Sequence, residues 1–357
     1  MSASPEPPER LGAGPVTLAR HAMATRFEIV LHGSDPVALR AAGEAALDEI
    51  ERIENLLSLY RNTSEIAHVN ARAASEPVRV SPAVFRLLEQ ARQLSELTGG
   101  AFDVTIAPLV RCWGFLGGTG RLPDPAAVAE ARANVGFALV ELNRTDSAVR
   151  FSRQGVMLDL GALGKGYAIE RAVEVVRDAG VTSAILHGGT STVYALGAPP
   201  DSASWQVAIQ RPVPGASAPA DSPQSSAGPP GARPELAEGA VQHMARSASP
   251  SDLLTIVPLR DEALSVSAVW GRSFQVAGRT YGHVIDPRTG QPVEHSLLSA
   301  VVLPSATETD ALSTALLTLG AAWIPTLAAL RPGVRALVAG AGPGEHQVEV
   351  RGIALQL

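Results

Sequence analysis

Between Pro212 and Ser251 the chain carries eight prolines, many Ala, Ser and Gly residues and no aromatic side chain. A stretch so poor in bulky apolar groups cannot bury enough surface to offset the entropy of ordering it. Two strand-like runs flank it, Trp205 to Ile209 and Leu253 to Pro258. That placement constrains the fold: one sheet closes around a long loop, rather than two independent domains hanging on a linker. Loop closure becomes costlier only slowly with length, so a fold can carry such an insertion. The expected organisation is a flexible N-terminus over 1–15, one folded unit over 16–357, and a disordered inserted loop over 212–251 within it. A hydrophobic share of 46% over 357 residues rules out wholesale disorder.

Elsewhere the patterning is that of a mixed fold. Phe27, Ile29 and Leu31 alternate with Glu28, Val30 and His32, a half-buried strand pattern. Asp35 can cap a helix in which Ala41, Ala45, Leu47, Ile50, Ile53 and Leu57 recur at helical spacing. A second helix runs from Pro82 to Leu97 and stops at Thr98-Gly99-Gly100. A strand over Ala148 to Leu160, a Gly-rich corner and a helix from Gly166 to Asp178 follow. Ala184 to Leu186 and Val193 to Leu196 read as short strands, and a strand pair closes the chain. Strands and helices without strict βαβ alternation predict an α+β fold, and no internal repeat suggests a solenoid.

Charge and composition exclude several classes. With 29 basic and 35 acidic residues the net charge is −6, which argues against bulk nucleic acid or acidic lipid as partner. A single Cys112 excludes an internal disulfide or a thiolate cluster. The first 33 residues offer no charged region followed by an apolar one and no lipid-attachment Cys, so the expected location is cytoplasmic. Ala311 to Leu330 carries no charge, but it contains Ser313, Thr314, Thr318, Gly320, Pro325 and Thr326. It reads as buried helical structure broken at Gly320, not as a transmembrane segment.

Four segments bear chemistry. Asp159-Leu-Gly-Ala-Leu-Gly-Lys165-Gly-Tyr-Ala-Ile-Glu170 follows a strand and opens a helix. Bare amides at a helix N-terminus suit a phosphate and Lys165 adds a point charge; a tight turn with a surface Lys is the structural alternative. The spacing is neither that of a P-loop nor that of a dinucleotide fingerprint. In Thr307-Glu-Thr-Asp310-Ala-Leu-Ser-Thr314, Asp310 and Thr314 share a helical face and offer hard oxygen ligands of the kind Mg2+ accepts. Thr307 and Asp310 equally have the spacing of a capping box.

In Tyr281-Gly-His283-Val-Ile-Asp286-Pro-Arg-Thr-Gly290, His283 is either a base for a hydroxyl or a hydrogen-bonded structural residue, and Asp286-Pro287 fits the start of a turn. In Thr98-Gly-Gly-Ala101-Phe102-Asp103, glycines ahead of an aromatic and an Asp allow backbone approach to a flat ring, or simply end a helix. Ser58-Leu-Tyr60-Arg61 and Ser64 to Asn70 read as loop. No HExxH or paired-His pattern occurs.

Taken in order, the segments resemble the ApbE family of FAD:protein FMN transferases from Met23 to about Gly320. The matching blocks are Met23-Ala-Thr-Arg-Phe27, Leu57 to Arg61 with Ser64 to Asn70, Gly100 to Thr105 through Pro108-Leu109, Asp159 to Gly166, His283 to Gly290 with Pro292, and Asp310 to Thr314. The resemblance implies a two-lobed fold and a Mg2+-dependent enzyme that cleaves the FAD pyrophosphate. FMN would pass to a Thr or Ser of an acceptor flavoprotein, with release of AMP.

It further implies that Met23, Tyr60, Ala101, Phe102, Asp103, Asp159, Lys165 and His283 surround FAD; the Phe102 and Tyr60 rings offer flat faces that could pack on flavin or adenine. Asp310 and Thr314, the carbonyl of Ala162 and Ser313 would hold the metal, and His283 would activate the acceptor hydroxyl. Thr190 and Glu170 depart from the family's usual residues at positions near the presumed nucleotide. An FAD pyrophosphatase and a flavin-binding module without turnover are the alternatives.

Overall fold

The computed structural model describes residues 14–212, 253–269, 271–340 and 347–355. Its strands begin with β1 (Val16–Ala22), β2 (Thr25–His32), β3 (Val78–Arg79), β4 (Val140–Asn143) and β5 (Ala148–Phe151). Then come β6 (Ser183–Gly188), β7 (Thr192–Leu196), β8 (Trp205–Gln210), β9 (Leu253–Leu259) and β10 (Glu262–Ala268). The last are β11 (Ser273–Val276), β12 (Arg279–Gly282), β13 (Ser296–Leu303), β14 (Arg335–Gly340) and β15 (Val348–Arg351). The helices are α1 (Pro36–Leu57), α2 (Glu65–Arg72), α3 (Pro82–Leu97), α4 (Ala107–Cys112) and α5 (Pro125–Arg132), then α6 (Gly164–Asp178), α7 (Ala306–Leu319) and α8 (Ile324–Leu330). The fold class is α+β, as expected.

Eight strands form an antiparallel sheet in the order β1-β2-β6-β7-β10-β13-β14-β15. On one face α1, α6 and α7 pack against Phe27, Ile29, Leu31, Leu186 and Val301. On the other, Val30, Ile185, Leu264 and Val302 pack against Trp205, Ile209 and Val257 of the β8–β9 pair. This second layer corrects the half-buried reading of β2: both faces are covered, and even Glu28 is buried. The expected inserted loop lies outside the described residues apart from Pro212, as do residues 1–13 of the expected N-terminal segment. The antiparallel β8–β9 pairing shows that the two ends of that loop enter one hairpin.

Several local expectations shift. The buried stripe of α1 is Leu39, Ala42, Ala46, Leu47, Ile50, Ile53 and Leu57. Ala41 and Ala45 face solvent, because paired alanines leave the spacing free to choose either one. Ser64 to Asn70 is mostly helical: the Ser64 hydroxyl accepts the Ala67 N–H and starts α2. Only 148–151 of the long expected strand pairs, with β4 and β3, because β4 is just four residues long. Gly320, with φ of 77°, separates α7 from α8 as the sequence suggested. Among the described residues no helix is long and apolar enough to cross a membrane.

Candidate active site

The loop from Asp159 to Leu163 delivers the chain into α6 with no side chain capping the helix. It braces itself instead. Asp159 Oδ1 accepts the Gly161 N–H at 2.8 Å, and Lys165 Nζ donates to the Gly161 carbonyl at 3.1 Å. Burial pushes the Asp159 carboxyl pKa up, against the opposing influence of the Gly161 N–H and the charges of Lys165 and Arg272. The N-terminal amides of α6, Lys165 and Arg272 therefore supply positive potential at one place.

His283 faces the same charges. Its ring sits edge-on to Phe115, with centroids 6.4 Å apart, and its Nδ1 lies 3.2 Å from the Arg272 carbonyl. Burial pulls the imidazole pKa from 6.5 down to about 4, opposed by the Arg272 carbonyl and reinforced by the charges of Arg272 and Lys165. The ring is thus neutral near pH 7. The following turn is pinned by Trp113 Nε1, which donates to the Gly290 carbonyl at 2.9 Å, and by Arg288, which grips both oxygens of Asp286.

Asp310 meets the α6 start through Gly166 and is 3% exposed. Its Oδ2 accepts the Gly166 N–H at 3.0 Å, while Oδ1 lies 3.3 Å from the hydroxyls of Thr192 and Ser265. Those two residues are cross-strand partners on β7 and β10. One turn along α7, Thr314 Oγ1 lies 3.2 Å from Ser267 Oγ, which is also 2.8 Å from Ser313 Oγ.

Asp310 does not cap the helix: Ser305 does, accepting the Glu308 N–H, so the capping-box alternative for Thr307 and Asp310 is overturned. Among the described residues no cation is paired with this buried carboxylate, and no three His, Cys, Asp or Glu side chains converge on a metal position. One uncompensated carboxylate among neutral hydroxyls is an all-oxygen donor set, which fits a hard cation such as Mg2+. Ala162, expected to offer its carbonyl, is half-buried two residues ahead of α6.

The remaining expected residues take different places. Met23 forms the β1–β2 turn with φ of 50° and packs on the main core. Tyr60 is 67% exposed and has no ring partner among the described residues. Ala101 and Phe102 are buried; the Phe102 ring belongs to the main core and its N–H bonds Thr98 Oγ1.

Asp103 is also occupied internally. Oδ1 accepts the Thr105 N–H and hydroxyl at 2.8 and 2.6 Å, and Oδ2 accepts Ser95 Oγ and the Phe137 N–H at 2.9 Å each. Glu170 accepts Ser305 Oγ and the Thr307 N–H, tying α6 to the start of α7. The structure thus gathers Asp159, Lys165 and His283 near the α6 start, where Gly166 also meets Asp310, with Thr314 one turn further along α7. It adds Arg272, Thr192, Ser265 and Ser267, which sequence reasoning missed. The Ser265-Val-Ser267 alternation, two hydroxyls on one strand face, was the available signal for two of them.

Comparison with known proteins covers most of the chain. A model of the ApbE family matches residues 23–338. The FAD:protein FMN transferase of Klebsiella pneumoniae (strain 342) is 29% identical over 309 residues, covering 84% of this chain and 77% of that one. The FAD:protein FMN transferase of Treponema pallidum (strain Nichols) is 29% identical over 332 residues, with 88% and 82% covered. The crystal structure of the ApbE protein of Thermotoga maritima superposes with a TM-score of 0.77 at 25% identity, over 95% of this chain and 97% of that one. The apo form of the Pseudomonas stutzeri flavinyl transferase ApbE shares the fold at 24% identity, with a TM-score of 0.75 and 96% of each chain covered.

Proposed function

The chain belongs to the ApbE family and its activity is the transfer of FMN from FAD to protein, and we propose that His283 and the Asp310 cluster divide that chemistry between them. The observation that carries this reading is the α6 start, where Gly166 binds Asp310 while Lys165 acts on His283 and Asp159. The pyrophosphate of FAD would lie near the positive end of α6 and Lys165, which favour its negative charge. Asp310, Thr314, Ser313 and the Ala162 carbonyl would hold Mg2+. When bound there, the ion masks phosphate charge and stabilises the leaving AMP.

A Thr or Ser hydroxyl of the acceptor protein is a poor nucleophile until its proton is removed. His283 is suited to remove it because the imidazole is neutral and Nδ1 faces the Arg272 carbonyl, which can only accept. The proton therefore resides on Nδ1, and Nε2 carries the free lone pair. The acceptor oxygen forms a bond to the FMN phosphorus, the bond from that phosphorus to the AMP oxygen breaks, and the hydroxyl proton passes to Nε2. A pKa of about 4 makes the free imidazole a weak base. The negative pyrophosphate beside it raises that basicity when substrate arrives.

Incubation with FAD, Mg2+ and acceptor candidates from the same genome tests the reading by in-gel flavin fluorescence after denaturation. Label surviving denaturation supports it. Free FMN and AMP without label indicate a pyrophosphatase, and bound FAD that survives unchanged indicates a binding module.

A further inference from the structure

Arg272 reaches the base by two routes. Its carbonyl accepts the His283 backbone N–H at 3.0 Å and faces Nδ1 at 3.2 Å. Its guanidinium donates to the Gly118 carbonyl at 2.8 Å and also to the Phe115 carbonyl, and Phe115 is the residue whose ring stands against the imidazole. One residue thus holds an edge of the histidine with its main chain and the loop forming a wall of the slot with its side chain. Among the described residues Arg272 makes no ion pair. The charges that act on His283 are Lys165 from α6 and Arg272 from the segment leading into β11, and both also act on Asp159.

We propose that Arg272 is the positioning residue of the transfer site: by clamping the Phe115–Gly118 loop to the segment that binds His283, it keeps the imidazole in one rotamer and one tautomer with Nε2 free. This rests on the reading of His283 as the base. The clamp explains why a side chain beside an anion-binding site turns to two neutral carbonyls, leaving Lys165 and the positive end of α6 to meet phosphate. It also has an electrostatic consequence. Removing the guanidinium charge makes protonation of His283 easier, so the base form is lost at higher pH.

Arg272→Met and Arg272→Lys are compared with wild type and His283→Gln in the full chain, using an acceptor protein that the wild type labels. The readouts are transfer rate against pH at saturating substrates, FAD affinity by flavin fluorescence, and thermal unfolding. Both Arg272 variants are expected to bind FAD within about threefold of wild type and to transfer about tenfold or more slowly, as expected for a misplaced catalytic group. The acid limb should move up in the Met variant and stay in place in the Lys variant, which keeps the charge. Should the Met variant unfold, the Lys variant still decides, by a rate loss without an affinity loss.

A wild-type rate in both variants, a loss confined to FAD affinity, or a slower Met variant with an unmoved acid limb overturns the positioning role. A wild-type rate in His283→Gln overturns the base assignment instead, whatever Arg272 does.

Discussion

The Gly166 N–H donates to Asp310 Oδ2 at 3.0 Å, joining the first turn of α6 to the interior of α7. The bond forms because residue 166 has no side chain: a Cβ there would lie 2.2 Å from the Ala306 carbonyl oxygen and 2.7 Å from Asp310 Cβ. The carboxylate is thereby brought against a helix N-terminus, where its charge is favoured.

Gly166→Ala must push the two helices apart. Overpacking of this kind destabilises by about 1–3 kcal/mol. A lowered Tm together with loss of Mg2+-dependent activity is expected, and a variant with wild-type Tm would contradict the packing described.

Asp310→Ala removes the acceptor shared by Gly166, Thr192 and Ser265. The unpaired donors cost about 1–3 kcal/mol, and transfer should be abolished. Calorimetric titration with Mg2+ separates the two effects: binding seen in wild type should vanish in the variant. Unimpaired transfer by Asp310→Ala would remove the metal assignment.

His283 gives a pH signature with a definite sign. Its pKa falls from 6.5 to about 4 on folding, so between those values the unfolded chain binds more protons than the folded one. Stability therefore drops as the pH falls from 6.5 through 4, and His283→Gln should flatten that part of the profile in thermal unfolding. An NMR titration of the ring should give a midpoint near 4 without FAD and a higher one with FAD bound. A midpoint near 6.5 in the free chain would contradict the half-buried, neutral imidazole.

Asp103 tests whether a family-matched residue acts through the fold. Asp103→Ala strands the Ser95 hydroxyl, both Thr105 donors and the Phe137 N–H. A fall of about 2 kcal/mol or more in unfolding free energy is expected. Unchanged stability with lost FAD binding would make Asp103 a direct ligand contact instead.

Much of this was legible in the chain because the signals were local. Asp35 caps α1 through Val37 and Ala38, Pro82 and Thr98 bound α3, and Gly320 breaks the uncharged stretch, each within a few residues. The eight-residue α2 reads as loop from sequence because its buried face is marked by only two apolar residues, Ile66 and Val69, too few to establish a helical repeat. The layer over the second face of β2 comes from β8 and β9, far along the chain, so alternation alone could not reveal it.

The site divides the same way. Lys165 and the glycines around it stand in one segment, and Asp310 and Thr314 are four apart. Arg272 instead binds a carbonyl 154 residues away, and Thr192 meets Ser265 across 73. Such partners leave no pattern in a single sequence. Conversely, Phe102 and Asp103 lie in a family block yet are held by the interior, since matching a block does not reveal which way a side chain turns.

The most direct measurement is intact-mass and peptide mass spectrometry of an acceptor protein from the same genome after incubation with the chain, FAD and Mg2+. One FMN joined through a phosphoester to a Thr or Ser, with one AMP released per adduct and both absent with Asp310→Ala, is the expected result. An unmodified acceptor beside accumulating FMN and AMP, or FAD left intact, would contradict it.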